Sequence, residues 1–177
     1  MSLKTRRLLL NPFTPEQLIA LIEAPDEFAN LSGYPAAMGL REFFVSGDVD
    51  PAWLARLRSV RAPDPWSLGF AVIETESSSV IGSGGFKGPP DRNGAVEIAY
   101  GIVPSFEGRG YATEVASALT EYCFDNGANR VCAHTLPVTN ASNRILTKIG
   151  FHFAGEVNDP VDGRVWRWEH QERSTHV

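Results

Sequence analysis

The sequence has little of what builds disulfide-rich or metal-binding proteins. It contains only two cysteines, Cys123 and Cys132, and neither a CxxC pair nor an HxxxH spacing occurs. Two cysteines in apolar stretches are too few for a disulfide scaffold. This pattern favours a reducing, cytoplasmic setting and indicates no metal site.

Long apolar runs and an excess of basic residues are also missing. No stretch approaches the roughly eighteen consecutive apolar residues of a membrane helix, and the N-terminus has only three consecutive leucines. Asp and Glu number 21 against 16 Lys and Arg, which gives a net charge of −5. Binding to a phosphate backbone needs the opposite balance, so neither nucleic acid nor a membrane is expected as a partner.

What is present is the composition of one globular domain. The chain has 177 residues, of which 43% are hydrophobic and 21% charged. A chain of this length buries about 70% of its unfolded surface on folding. We expect residues 1–177 to form a single domain, with residues 171–177 as a polar tail.

The hydrophobic pattern alternates between the periods of strands and helices. A helix N-terminus is predicted at Thr14, Pro15 and Gln17, and a second helix is predicted to begin at Asp50-Pro51. Elsewhere the periods predict strands at 5–10, 68–74, 80–86, 96–103 and 131–136, helices at 112–123 and 141–149, and a closing hairpin over 151–168. One domain that mixes helices with a largely antiparallel sheet is therefore predicted.

The segment from Val103 to Glu114 joins a predicted strand to a predicted helix through a glycine loop. Gly108 and Gly110 place no β-carbon over the backbone, and the helix N-terminus adds positive charge. Such a loop suits a phosphate or pyrophosphate. Taken alone, it is equally well explained as a tight strand-to-helix turn that needs glycine.

Other nucleotide motifs fit this loop poorly. A Walker loop requires Gly-Lys-Ser/Thr, which is missing here, and the dinucleotide fingerprint requires glycine or alanine where Thr113 stands. We therefore favour neither.

Several segments together resemble the GNAT superfamily of acetyl-CoA-dependent N-acetyltransferases, and within it the Rim type. The matching segments are 5–10, 97–104, 108–114 and 140–151, which together span nearly the whole chain. The resemblance implies a GNAT fold of the α+β class. Its central mixed, mostly antiparallel sheet would have six to seven strands, flanked by about four helices.

The resemblance also implies acetyl-CoA as the acetyl donor and assigns residues to its site. The implied cofactor-binding residues are Ile102, Val103, Gly108, Arg109, Gly110, Tyr111, Ala112, Thr113, Asn140 and Asn143. The backbone of Ile102 and Val103 would pair with the pantetheine arm. Backbone N–H groups freed where this strand splays near the same two residues could stabilise the oxyanion.

Glu97 is the candidate general base. Only a neutral amine attacks a thioester, and a lysine-like amine is neutral only about four times in ten thousand at pH 7. Glu97 could remove the proton directly or through water. The alternative is a strand carboxylate that simply faces solvent, because strand alternation places Glu97 with Ala99 and Gly101 on one side.

Some positions depart from the family pattern. Ser105 and Glu107 replace residues that the family uses beside the phosphates, and Thr139 stands where its late-helix asparagine is usual. Leu146 occupies the place of a tyrosine acid, so the resemblance leaves Ser142 as the candidate proton donor to the leaving thiolate. The histidines, His134 among them, are scattered and receive no role.

The sequence thus predicts an enzyme that transfers acetyl from acetyl-CoA to a primary amine in a ternary complex. The acceptor is a protein N-terminus or a small amine, and the oligomeric state is left open, with a homodimer allowed. The altered positions motivate an alternative, a noncatalytic acyl-CoA-binding module of the same fold.

Overall fold

A computed structural model describes residues 1–47 and 49–172. The predicted α+β GNAT architecture is confirmed: one eight-stranded sheet has the order β1-β2-β3-β4-β5-β6-β8-β7. The strands are β1 (Leu3–Lys4), β2 (Leu8–Pro12), β3 (Phe70–Glu74), β4 (Ser79–Phe86), β5 (Ala95–Ile102), β6 (Arg130–Thr135), β7 (His152–Asp159) and β8 (Gly163–Gln171).

Two strand boundaries differ from the prediction. The expected first strand at 5–10 is found later in the chain as β2, and the additional two-residue β1 precedes the predicted range, which raises the strand count to eight. At the other end, β8 continues to Gln171, so this residue belongs to the sheet and not to a polar tail. Residues 173–177 of the predicted tail lie outside the described residues.

Seven α-helices occur in the described residues, of which four are the predicted ones. The helices are α1 (Pro15–Glu23), α2 (Phe28–Ser32), α3 (Glu42–Val45), α4 (Pro51–Ser59), α5 (Pro65–Leu68), α6 (Tyr111–Asp125) and α7 (Ala141–Lys148). The predicted cap of α1 is confirmed, since Thr14 and Gln17 form a reciprocal capping box. The three additional helices, α2, α3 and α5, have only four or five residues, too few for a helical period to show in the sequence. No helix of the described chain combines the length and apolar character needed to cross a bilayer.

The sheet opens between β5 and β6. Strands β2 to β5 pair antiparallel in chain order, whereas β5 and β6 run parallel and pair only from Ala95↔Arg130 to Glu97↔Cys132. Beyond Glu97, β5 stays paired with β4 as far as Ile102 but loses its other neighbour. The strands therefore part immediately after Glu97, earlier than the sequence suggested.

Helix α6 packs directly on the sheet. Val115, Leu119 and Cys123 repeat at helical spacing and are completely buried. A β-carbon on Gly84 of β4 would lie only 2.9 Å from side-chain carbons of Val115 and Leu119. Glycine at this position thus allows α6 to approach β4 closely and sets where the helix lies over the sheet.

The N-terminal segment ties down the first turn of α6. The Glu114 carboxylate accepts hydrogen bonds from the Thr5 hydroxyl at 2.7 Å and from Arg7 Nε at 2.5 Å. Burial alone would raise the pKa of Glu114, but these hydrogen bonds and the charge of Arg7 outweigh it and hold that pKa below its usual range. The guanidinium of Arg7 also lies over the Tyr111 ring, 4.4 Å from its centroid.

We expect Glu114→Gln to lower the free energy of unfolding by about 1 kcal/mol at pH 7, because the variant loses a partly buried ionic hydrogen bond. A carboxyl whose pKa is lowered on folding contributes its stability above its unfolded pKa and loses it as the pH falls through its folded pKa. The difference from wild type should therefore shrink below about pH 4. Urea unfolding at several pH values measures it.

The matched control is Glu121→Gln on the same helix, where the carboxylate is exposed and has no hydrogen-bond or ionic partner in the described residues. Equal stability of the two variants at pH 7 would contradict the proposed anchoring of α6.

Candidate functional site

The glycine loop forms a row of unpaired backbone donors. After a 3₁₀ turn at Pro104–Phe106, Gly108 and Gly110 adopt positive φ values of 72° and 83°, and α6 begins at Tyr111. Within the described residues, the N–H groups of residues 108–113 have no hydrogen-bond acceptor. Six free donors at the N-terminus of a fifteen-residue helix have the arrangement that suits an anion.

Charged side chains flank this loop. Arg7 Nη2 would lie 3.2 Å from a β-carbon on Gly110, so a cation from the N-terminal segment borders the loop. Arg109 donates to the Ser105 carbonyl at 3.1 Å and lies over the Phe106 ring. The exposed Glu107 lines the adjacent cavity.

A cavity of about 450 Å³ extends from the loop along the gap in the sheet to α7. We call it the donor cavity. Of the residues predicted to bind the cofactor or to act in catalysis, five line it: Ile102, Gly108, Tyr111, Ala112 and Ser142. The loop, the open edge of β5 and the start of α7 thus share one elongated space.

Three predicted cofactor residues have other roles in the structure. The Val103 N–H is not free as expected, because it donates to the Ile81 carbonyl at 2.8 Å. Asn140 caps α7 by accepting from the Asn143 N–H. Asn143 is itself buried, donates to the Val138 carbonyl and lines a different cavity beside Trp166 and Trp168.

The free backbone groups of β5 belong to Tyr100 and Ile102. The Glu97 carbonyl and the Val103 N–H both form hydrogen bonds on the β4 side of the strand. Strand alternation directs the backbone N–H and C=O groups of Ala99 and Gly101 to the same side. Tyr100 and Ile102 consequently direct their N–H and C=O groups toward the gap that β6 leaves. Ile102 keeps its predicted position at the open edge, and Tyr100 takes the place expected of Val103.

Glu97 lies at the point where the strands part, and it is not a solvated strand carboxylate. Its side chain is 17% exposed, and Oε1 lies 3.0 Å from His134 Nδ1 and 2.8 Å from Lys87 Nζ. The hydrogen bond to Glu97 raises the pKa of Lys87 despite partial burial, with further contributions from Asp159 and Asp162. The Lys87 ammonium is thus a lasting counter-charge to this carboxylate.

His134 completes this cluster. Within the described chain its Nε2 is buried without a hydrogen-bond partner, while Nδ1 faces Glu97. Glu97, Lys87, His134 and Ser142 line a cavity of about 170 Å³, which we call the base cavity. Ser142 also lines the donor cavity, so it lies between the glycine loop and the cluster around Glu97.

Tyr100 lines both of these cavities, and burial raises the pKa of its phenol to about 12. Tyr100, Lys87 and His134 are site residues that the sequence patterns do not indicate. The parallel register Glu97↔Cys132 is the signal that would place His134, two residues further along β6, beside Glu97. That register is not visible in the sequence.

If the loop binds a pyrophosphate, Gly108→Ala should weaken acetyl-CoA binding about tenfold, because strain at positive φ and an added methyl disturb the donor row. Gly127→Ala is the matched control, since Gly127 follows the other end of α6, also has positive φ and also has open space around it. Calorimetric titration with acetyl-CoA separates the two variants. Equal losses of affinity would mean that the loop is a structural turn only.

Comparison with known proteins agrees with this geometry. Residues 7–152 match the family model of the acetyltransferase (GNAT) domain. The chain is 32% identical over 91 residues to the uncharacterized N-acetyltransferase p20 of Bacillus licheniformis, a match that covers 51% of each protein. It is 26% identical over 156 residues to the uncharacterized N-acetyltransferase YoaA of Bacillus subtilis, which covers 86% of this chain and 84% of YoaA.

A solved structure shows the same fold. The ribosomal-protein-S5-alanine acetyltransferase of Vibrio fischeri superimposes with a TM-score of 0.67 and 14% identity, over 98% of each chain. The family match spans both the donor row before α6 and the gap beside β5. It shows that this chain belongs to the GNAT acetyltransferase family, whose acetyl donor is acetyl-CoA.

Proposed function

We propose that this enzyme transfers the acetyl group of acetyl-CoA to a primary amine by direct attack in a ternary complex. The observation that carries the proposal is the parting of β5 and β6 after Glu97. At this gap, the donor cavity and the base cavity meet at Tyr100 and Ser142. A thioester lying in the first cavity can therefore be reached by an amine beside the second.

The chain's own residues fit acetyl-CoA. The free N–H groups of residues 108–113 suit its pyrophosphate, and the nearby Arg7 adds positive charge. The open backbone groups of Tyr100 and Ile102 can pair with the amides of the pantetheine arm as a neighbouring strand would. Bound in this way, the cofactor supplies an activated acetyl group at the end of the gap.

Glu97 and His134 are the groups that can take up the amine proton. Glu97 is the general base, and its hydrogen bond to His134 Nδ1 orients the imidazole. The ammonium of Lys87 holds the carboxylate from a second direction. Both contacts reach Oε1 and hold the carboxylate in one orientation, and the proton that Glu97 takes up is released to solvent before the next acceptor binds.

Ser142 is the donor that can protonate the leaving thiolate. It lines the donor cavity as well as the base cavity, and it lies at the start of α7. Leu146, at the family's tyrosine position, is completely buried and has no proton to give. The free N–H of Tyr100, the nearer of the two to Glu97, replaces the expected Val103 donor for the carbonyl oxygen that becomes negative during attack, while the Tyr100 C=O and the groups of Ile102 pair with the pantetheine arm.

We expect Glu97→Gln to lower kcat by about 10²-fold or more with unchanged acetyl-CoA affinity, because glutamine keeps the shape but cannot accept the proton. Glu156→Gln, which alters an exposed carboxylate paired with Arg164, is the control and should retain full activity. Amine-dependent CoA release measures kcat, and calorimetry measures binding. Unchanged turnover in Glu97→Gln would remove Glu97 from the mechanism.

Ser142→Ala should lower kcat about tenfold or more without changing acetyl-CoA affinity, since a general acid contributes only after binding. Ser117→Ala on α6, outside both cavities, is the matched control. Wild-type turnover in Ser142→Ala would mean that another group protonates the thiolate. Saturable acetyl-CoA binding by the native protein without turnover on any amine would instead support the noncatalytic binding module.

A further inference from the structure

A larger cavity adjoins the donor cavity on its acceptor side. Its volume is about 720 Å³, within the range of small-molecule binding sites. Phe43, Tyr100 and Gly101 line it together with the donor cavity, and Ala99 and Tyr100 line it together with the base cavity. We call it the acceptor cavity, because it adjoins both the donor cavity and the base cavity.

The walls of the acceptor cavity are apolar and largely aromatic. Phe13, Phe44, Trp53 and Leu68 come from the region of the early helices, and Phe13 packs edge-on against Phe44 at 5.8 Å. Phe43 remains 39% exposed, so a large ring faces the space without being covered by the protein. Such a surface gains most from a ligand that is itself apolar.

Charge is scarce in this space. Among the described residues that line it, Glu42 alone is charged. A ligand with several charged groups would lose hydration here and find one ionic partner, whereas the hydroxyl-bearing wall residues Ser46, Ser67, Ser83 and Tyr100 suit a ligand with few polar atoms. A single positive charge is compatible with the cavity, because one carboxylate lies at its wall and Glu97 lies beyond Ala99.

The aromatic wall is held in place by α1. The Arg41 guanidinium donates to the carbonyls of Leu21 and Ile22 at 3.0 and 2.8 Å, which satisfies the end of α1. Arg41 directly precedes α3, so this contact positions Phe43 and Phe44. A β-carbon on Gly101 would lie 3.3 Å from the Phe43 ring, which shows how closely the wall approaches the sheet.

The floor of the cavity offers little to an extended peptide. It consists of Ser83–Phe86 and Ala99–Gly101, which are paired with each other from Ser83↔Gly101 to Gly85↔Ala99. The other side of β4 is occupied by β3. Apart from the Tyr100 groups at the gap, which the pantetheine arm would use, a peptide backbone lying on this floor would find the hydrogen-bond groups of both strands already paired.

We propose that the acceptor is a small primary amine that carries one aromatic or bulky apolar group, and that this group binds in the acceptor cavity. The inference rests on the proposed function and names its substrate class. The amine reaches Glu97 past Ala99 and Tyr100. Its nitrogen bonds to the acetyl carbon as the carbon–sulfur bond breaks, its proton passes to Glu97, and CoA leaves as the thiol.

The first test is a panel of amines, measured by CoA release with saturating acetyl-CoA. It comprises 2-phenylethylamine, tryptamine, propylamine, ethanolamine and a tripeptide with an N-terminal alanine. We expect kcat/KM for the two aromatic amines to exceed that of the others by about tenfold or more, after correction for the neutral amine fraction. Equal or higher values for ethanolamine or the tripeptide would overturn the proposal.

The second test compares Trp53→Ala with Trp166→Ala. Trp53 lines the acceptor cavity but neither of the other two, whereas Trp166 is similarly half-buried on β8 and lines none of the three. We expect Trp53→Ala to raise KM for 2-phenylethylamine about tenfold, with unchanged KM for acetyl-CoA and for propylamine. Trp166→Ala should leave all three values unchanged. An unaltered KM for 2-phenylethylamine in correctly folded Trp53→Ala would also overturn the proposal.

A binding measurement separates this inference from the proposed function. Calorimetric titration of tryptamine into the CoA-saturated protein requires no turnover, and the affinity should fall in Trp53→Ala. Tryptamine binding without acetyl transfer would support the cavity assignment and contradict the transferase proposal. Turnover of polar amines without tryptamine binding would support the transferase and contradict the assignment.

Discussion

The site depends on one missing set of hydrogen bonds, those between β5 and β6 beyond Glu97. A strand within a sheet normally bonds to both neighbours, and unpaired groups are costly unless another partner satisfies them. Here the strands pair over three positions and then diverge, which leaves Tyr100 and Ile102 with free groups. The fold thus keeps an internal strand edge available for an extended ligand, and the cavities on each side of the edge follow from the same divergence.

Two rigid contacts hold the glycine loop at the end of the open edge of β5. Gly84 lets α6 approach β4 closely, and Glu114 binds the N-terminal segment through Thr5 and Arg7. The contact at Gly84 sets how closely α6 packs on the sheet, and the contacts of Glu114 fix the first turn of the helix. A donor row is useful for binding only if its direction is fixed before the ligand arrives, because otherwise ordering it would reduce the affinity.

The groups around Glu97 serve a different purpose, because they position the proposed general base. A carboxylate beside both an ammonium and an imidazole is held in place. His134 Nδ1 and Lys87 Nζ both contact Oε1, so they orient the carboxylate that is proposed to take the amine proton. The apolar acceptor cavity, with Glu42 as its one charged wall residue among those described, complements this cluster by directing a single amine toward Glu97.

Much of this protein could be predicted from the sequence, and the remainder has a common cause. Glu97 and Ser142 became candidates through the resemblance to the GNAT superfamily, whereas local patterns predicted an α+β domain, the capped α1 and the strand–loop–helix motif at Gly108 and Gly110. Each depends on neighbours within a few residues, for which periodicity and turn chemistry suffice. Only the tertiary structure decided that Val103 donates to Ile81, that Asn143 lies outside the donor cavity, and that Lys87 and His134 hold Glu97. These relations depend on strand register and on where β5 leaves β6, because such features join residues far apart in the chain.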